Sequence, residues 1–263
     1  MTRDPYAGFA ERYDRFHGEF GQHNPAEVAF FAELFARHQV QTVLDCACGT
    51  GRHLHVFHLL GYQVTGSDLS PSMLEQARVN LARLDLEIPL SQADYRELPQ
   101  HYDQTFDAVV CLSSSILHMP DDQQARQALR SMRGVLRPRG ILVLTQGTTD
   151  RQWQEKPRFL VATNTPDFTR LFVIDYQGAG VRYNILDLYH TEERNELQTW
   201  SVTYPRILLR DDQERLLTAA GFASVDFYGS FEFEPYDKGA SRHLIAVAQD
   251  LAGALPNDPP SQG

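Results

Sequence analysis

Lysine is almost missing from this chain. Of its 24 basic side chains only Lys156 and Lys238 are lysines and 22 are arginines, so chemistry built on a lysine has two candidates at most. Cysteine is equally scarce. Cys46, Cys48 and Cys111 make an odd set of three in 263 residues, far below the density of a disulfide scaffold. Cys46-x-Cys48 has no second pair or histidine cluster at zinc spacing, so no metal site is expected. No apolar run approaches the roughly 20 residues that a spanning helix needs, and residues 1–10 show no apolar segment before a cleavage site. A reduced, cytoplasmic protein without a membrane partner is the expectation. Positive charge is also in deficit, with a formal net charge of −10. Phosphate neutralisation needs a basic face, so the balance argues against a nucleic-acid partner.

What is present is an ordinary globular composition, 42% hydrophobic and 11% aromatic, long enough to bury a sizeable core. Residues 26–146 alternate helices with short apolar strands. A helix over 26–38 leads to a buried strand at 42–45, and a helix over 51–60 to a second strand at 62–67. Ser70 caps the next helix with Pro71 at its first position, and Met73, Leu74, Ala77, Leu81 and Leu84 form its apolar face. Strands at 88–93 and 106–112 follow, then a long helix over 121–136 stopped by Pro138 and Gly140, then a strand at 141–145. Such alternation implies right-handed crossovers and a mostly parallel, doubly wound sheet, with ligands at the carboxyl ends of the strands.

The texture changes after Gln146. Alternating aromatic stretches at 168–176, 183–189 and 198–204 read as three antiparallel strands, an insertion capping the ligand face. A helix over 210–221 ends on a glycine, and strands at 224–231 and 243–248 complete the sheet. The expected organisation is an N-terminal cap segment (1–25), a cofactor-binding core (26–146), the inserted antiparallel cap (147–206), the rest of the core sheet (207–250) and a disordered tail (251–263). Two arginine groups stand out. Arg126, Arg130, Arg133, Arg137 and Arg139 read as a solvated helix face. Arg158, Arg170, Arg182 and Arg206 in the cap are open candidates for holding an anionic substrate group, and the cap's Tyr183 and Tyr204 are equally open.

The informative stretch is Leu44-Asp45-Cys46-Ala47-Cys48-Gly49-Thr50-Gly51, a strand running into a glycine turn and a helix. Glycines there let backbone approach a ligand closely. A dinucleotide-binding turn would place a third glycine three residues after Gly51; that position is Leu54, so this interpretation loses. Acids close three successive strands: Asp45, then Asp68, 17 residues after Gly51, then Asp94 in Ala93-Asp94-Tyr95.

These residues resemble class I S-adenosylmethionine-dependent methyltransferases, with Ala47 in place of the family's first glycine. The resemblance implies a seven-stranded Rossmann-like methyltransferase sheet with a capping β insertion. It implies that Asp68 takes both ribose hydroxyls, a task suited to a carboxylate, and that Asp94 reaches the adenine amino group. Tyr13, Asp45, Ala47, Gly49, Gly51, Leu69, Tyr95 and Leu112 are the further expected cofactor contacts. Tyr13-Asp14, residues 111–120 (CLSSSILHMP) and the stretch from Gly229 to Tyr236 look like glycine N-methyltransferases and deoxyaminosugar N-methyltransferases. In these an aromatic N-terminal segment covers the cofactor. The glycine enzymes carry Gly-Asn where this chain has Ser113-Ser114, and the Asn-Pro-Pro-Tyr-type motif of nucleic-acid amino methyltransferases is absent.

Methyl transfer from a sulfonium is an in-line displacement governed by positioning. His118 is a candidate base or orienting group; a histidine beside Asp121 and Asp122 at the start of a helix, with no substrate contact, is the other interpretation. Tyr13 either closes the site as a catalytic-site residue or is an aromatic core residue. Methylation of a small-molecule amine is the leading expectation. O-methylation and a non-catalytic cofactor-binding subunit are the alternatives.

Overall fold

The computed structural model describes residues 4–16 and 18–250. The expected disorder of the tail from Leu251 lies outside the described residues. The central sheet has seven strands: β1 (Thr42–Asp45), β2 (Gln63–Asp68), β3 (Leu90–Gln92), β4 (Phe106–Cys111), β5 (Leu136–Gln146), β10 (Ser224–Tyr228) and β11 (Leu244–Gln249), in the order β10-β11-β5-β4-β1-β2-β3. Strands β1 to β5 pair in parallel, whereas β11 runs antiparallel to β5 and to β10. Both faces are buried. Val43, Ala108, Val110, Val143 and Ile245 enter one core, and Leu44, Val109, Cys111, Leu144 and Ala246 the other. Continuously apolar strands are what a doubly covered sheet requires.

Helices α2 (Pro25–Arg37), α3 (Arg52–Leu59), α4 (Pro71–Ala82), α6 (Asp122–Gly134) and α8 (Arg210–Ala220) supply the covering layers. Their ends follow local chemistry. Ser70 accepts the N–H of Met73 above Pro71, Asp121 accepts that of Gln124, and Gly221 leaves α8 in the left-handed region at φ 99°. Of the arginines expected on this helix face, Arg133 pairs with Asp250 at 3.1 Å and Arg130 donates to the carbonyl of Ala219, whereas Arg137 lies in β5 and pairs with Asp107.

The second sheet has four antiparallel strands, β6 (Phe159–Asn164), β7 (Phe168–Gln177), β8 (Gly180–His190) and β9 (Asn195–Tyr204), in sequence order. The sequence pattern captures three of these. Strand β6 escapes it because Phe159 and Val161 face solvent at an edge, leaving no clean alternation. The short helix α7 (Asp150–Glu155), capped by Thr149, also precedes this sheet unannounced. Strand β5 departs from expectation too, starting at Leu136 and running through Pro138 and Gly140. A register shift between Phe106 and Ala108 absorbs the irregularity, and Arg139 turns to φ 68°. A bulge is one of the few places where a sheet tolerates proline.

Candidate functional site

Strand β1 ends at Asp45 and the chain turns through Gly49 and Gly51, both left-handed at φ 54° and 87°, into α3. A Cβ on Gly49 would meet no atom within 4 Å, so bare backbone faces open space there. A Cβ on Gly51 would lie 3.4 Å from Ala77 Cβ. The room that Leu54 needs comes from the strand side. A Cβ on Gly66 of β2 would fall 2.7 Å from Leu54 Cδ1, so glycine on the strand replaces the third glycine of a dinucleotide turn.

The three acids sit in different environments. Asp45 is 1% exposed, accepts the N–H of Ala47 at 3.2 Å, and is pushed up to about 7 by burial. Asp68 accepts the N–H of Gly49 at 2.9 Å on one carboxylate oxygen and that of Ser70 at 2.8 Å on the other; burial raises its pKa. Asp94 carries its own counterion. Arg96 Nε donates to both its oxygens at 3.0 Å, and although burial raises the carboxyl pKa, these bonds and the guanidinium charge bring it below the ordinary value. Beyond Asp68, Leu69 is 57% exposed and offers an apolar surface. Tyr95 donates its hydroxyl to the carbonyl of Ser115 at 3.0 Å. The Leu112 carbonyl accepts the Ser115 hydroxyl at 2.8 Å.

The N-terminal segment, with α1 (Ala10–Tyr13), bridges the two sheets. On the core side Asp14 accepts the Thr50 hydroxyl within the glycine turn and the Asn80 amide at 2.7 Å, while Asp4 accepts the Ser70 hydroxyl at 2.9 Å. On the other side Phe9 stacks on Trp200, 4.0 Å between centroids and 3° from parallel. Arg12 joins a fully buried pair in which Arg170 meets Asp187 at 2.6 and 2.8 Å. The tyrosines Tyr6 and Tyr13 pack edge to face within this segment.

A cavity of about 750 Å³ opens where these parts meet. Its floor is the carboxyl ends of β4 and β5: Ser113, Ser114, Thr145 and Gln146. Ser113 and Ser114 are both left-handed, at φ 53° and 71°, held by N–H donation to the Thr145 hydroxyl at 2.9 Å and to its carbonyl at 2.8 Å. The roof is one face of the second sheet, including Leu160, Phe172, Tyr183, Ile185, Trp200 and Tyr204. Tyr6, Tyr13 and Phe16 close one side, and His23, Glu27, Arg52 and His243 line another. Arg52 Nη1 and His23 Nδ1 are buried without a hydrogen-bond partner.

Tyr13 therefore meets the cavity directly. Its hydroxyl pKa is raised by burial and then by Asp68 and Asp14. His118 lies one layer behind. Its Nε2 is 2.8 Å from the Tyr6 hydroxyl and its ring packs against Tyr204, with 5.1 Å between centroids. Burial holds it down to about 4, so it is neutral at pH 7. The sequence pattern missed Tyr6, Trp200, Thr148, His23 and Arg52, since they come from far-apart segments with no motif. Arg52 alone had a positional signal, being the residue after the glycine turn.

Residues 43–140 match a family model described as a methyltransferase domain. The chain is 30% identical to the dTDP-3-amino-3,6-dideoxy-alpha-D-glucopyranose N,N-dimethyltransferase of Streptomyces fradiae, over 90% of this chain and 95% of that protein. It is 29% identical to a glycine/sarcosine N-methyltransferase of Aphanothece halophytica, over 92% and 88%. Its fold matches that of the CcbJ methyltransferase of Streptomyces caelestis with a TM-score of 0.76 at 18% identity, covering 95% and 97% of the two chains. The chain belongs to the S-adenosylmethionine-dependent methyltransferases. It is an enzyme of that class, with S-adenosylmethionine as cofactor. The residues present fit that group: bare backbone at Gly49 faces open space, acids stand at successive strand ends, and two buried nitrogens lack partners. Among the described residues no helix is long and apolar enough to cross a membrane.

Proposed function

We propose that this enzyme methylates an amine nitrogen of a small molecule. The observation carrying this reading is that the cavity wall beneath the second sheet offers the neutral Tyr6 hydroxyl, backed from outside the wall by His118, and no ionised base. Among the described lining residues the carboxyl group is that of Glu27, which sits on the α2 side and contacts His53 at 3.1 Å. A hydroxyl nucleophile must lose its proton to become reactive, which needs a well-placed base. A neutral amine already has its lone pair and needs orientation.

The cofactor, when bound, supplies an electrophilic methyl group on a sulfonium. Ala47, Gly49 and Gly51 would cradle it with backbone, and Asp68 would accept from its ribose hydroxyls. Asp94, Tyr95 and Leu69 would meet the adenine. Asp45, Leu112 and Tyr13 would lie against the methionine part, and Arg52 Nη1 with His23 Nδ1 suit its carboxylate. His118 is too weakly basic, near 4, to serve as the proton acceptor at neutral pH. It acts as a positioning residue by accepting from the Tyr6 hydroxyl, which leaves Tyr6's oxygen free to accept an N–H of the acceptor. Tyr13 closes the cavity beside Tyr6. The negative charge balance and the three buried, unpaired cysteines support a partner that is not nucleic acid and a reducing, cytoplasmic setting.

Tyr6→Phe tests the reading. Turnover on an accepted amine should fall by roughly tenfold to a hundredfold with S-adenosylhomocysteine affinity unchanged. Unchanged turnover would remove Tyr6 and His118 from the mechanism. Methyl products formed only on oxygen would overturn amine methylation itself.

A further inference from the structure

We propose that the acceptor is an amine with an apolar, uncharged body, aromatic or cycloaliphatic, rather than an amino acid or a phosphate-linked sugar. The inference rests on the amine reading above and concerns what surrounds the nitrogen. It comes from the division of charge along the cavity. The charged and imidazole side chains among the described lining residues, Arg52, Glu27, His23 and His243, gather on the α2 and C-terminal side. The residues that the second sheet contributes to the cavity wall are aliphatic and aromatic: Leu160, Ala162, Phe172, Ile185, Trp200 and Val202, with the tyrosines Tyr183 and Tyr204. The same face also carries Arg170 and Asp187, which pair with each other outside the cavity wall.

The polar atoms at this end satisfy one another. The Tyr183 hydroxyl is 2.8 Å from that of Thr148 and accepts the Gln152 amide at 3.2 Å. None of the arginines of this sheet or its flanks is among the residues that line the cavity. Arg158 pairs with Asp175 at 2.7 Å, and Arg206 with Asp122 and Asp212. Arg182 alternates with the lining residue Tyr183 and is exposed on the opposite face. Arg170 lies behind Phe16, 4.3 Å from its ring centroid, with its charge met by Asp187.

A carboxylate or diphosphate placed here would be desolvated with nothing to pair it. The aromatic walls instead favour an apolar ring and tolerate the cation that methylation leaves on the product nitrogen. Arg52 is the one guanidinium among the described lining residues and is matched to the cofactor's carboxylate, while burial lowers the pKa of both His23 and His243. The relatives named for glycine and for a nucleotide-linked sugar methylate acceptors with carboxylate or phosphate groups. This chamber selects against both.

Phenethylamine and phenylalanine differ only by a carboxylate, which makes them the decisive pair of probes. The purified enzyme with S-adenosylmethionine should show kcat/KM for phenethylamine at least about a hundredfold above that for phenylalanine, glycine or a dTDP-linked aminosugar. N-methyl products are identified by mass. A preference for any of the charged amines overturns this inference while leaving amine methylation standing. Transfer only to alcohols or phenols, or to nothing although S-adenosylhomocysteine binds, overturns both. Leu160→Arg provides the second arm. A guanidinium beside Phe172 should shift the phenethylamine-to-phenylalanine ratio at least about tenfold toward the acid, with S-adenosylhomocysteine affinity retained as proof of folding. An unmoved ratio with that affinity intact counts against the proposal.

Discussion

Asp45 and His118 are both buried ionisable groups, and burial pushes each toward its uncharged form. For Asp45, proposed above to lie against the methionine part of the cofactor, this predicts a pH effect on binding. With a carboxyl held near 7, a substantial fraction is protonated at neutral pH. A ligand ammonium favours the ionised form and pulls the pKa back down. Affinity for S-adenosylhomocysteine should therefore rise with pH up to about 7 and then level off. Titration calorimetry should record proton release on binding below that point, and Asp45→Asn should abolish the pH dependence. A flat profile for the unmodified enzyme would separate Asp45 from the amino-acid end of the ligand. Much of this scale was legible beforehand. Asp45, Gly49, Gly51 and Asp68 are fixed by one strand-turn-helix grammar, because backbone conformation and strand ends are local properties. His118 was legible as a residue but not in its placement. Whether a tyrosine 112 positions earlier covers it depends on chain folding that no spacing reveals.

Among the elements, the N-terminal segment and the second sheet are locked together by charge in the absence of water. Asp187 is fully buried and receives Arg170 on both oxygens and Arg12 on one. Removing it leaves two guanidinium groups facing each other, and truncating one member of a buried ionic group costs about 3–5 kcal/mol. Asp187→Ala should show that loss in thermal or urea unfolding. Arg12→Ala, at a partly exposed partner, should cost less and weaken S-adenosylhomocysteine binding by loosening the segment that carries Tyr6 and Tyr13. The loop after β4 stores strain of a different kind. Ser113 and Ser114 both occupy the left-handed region, at roughly 1–2 kcal/mol per residue. Ser113→Gly should stabilise the protein by about 1 kcal/mol. Core helices and strands were readable because burial on both faces writes a continuous apolar pattern. Strand β6 was not, since an edge strand with Phe159 and Val161 outside carries no such imprint.

For the whole molecule the same two titrations oppose each other. His118 is neutral in the fold down to about 4 but protonates near 6.5 when unfolded, so its contribution to stability is lost as pH falls from 6.5 toward 4. Asp45 behaves in the reverse sense. Its folded pKa lies above the unfolded one, so folding gains stability as pH falls from about 7 toward 3.8. Each effect is on the order of 3–4 kcal/mol. Asp45→Asn removes the second contribution and should therefore be more acid-labile than the unmodified enzyme over this window, as read from melting temperatures of the cofactor-free proteins. A variant no more acid-labile than the unmodified enzyme would show that Asp45 does not carry this contribution. The sheet topology and the glycine turn belong to methyl transfer from S-adenosylmethionine, and the central proposal is that nitrogen receives the methyl group. It is tested most directly by S-adenosylmethionine with an isotopically labelled methyl group, presented together with phenethylamine and its oxygen analogue phenethyl alcohol. The label should appear on the amine nitrogen, and its appearance on the alcohol oxygen alone would contradict the assignment.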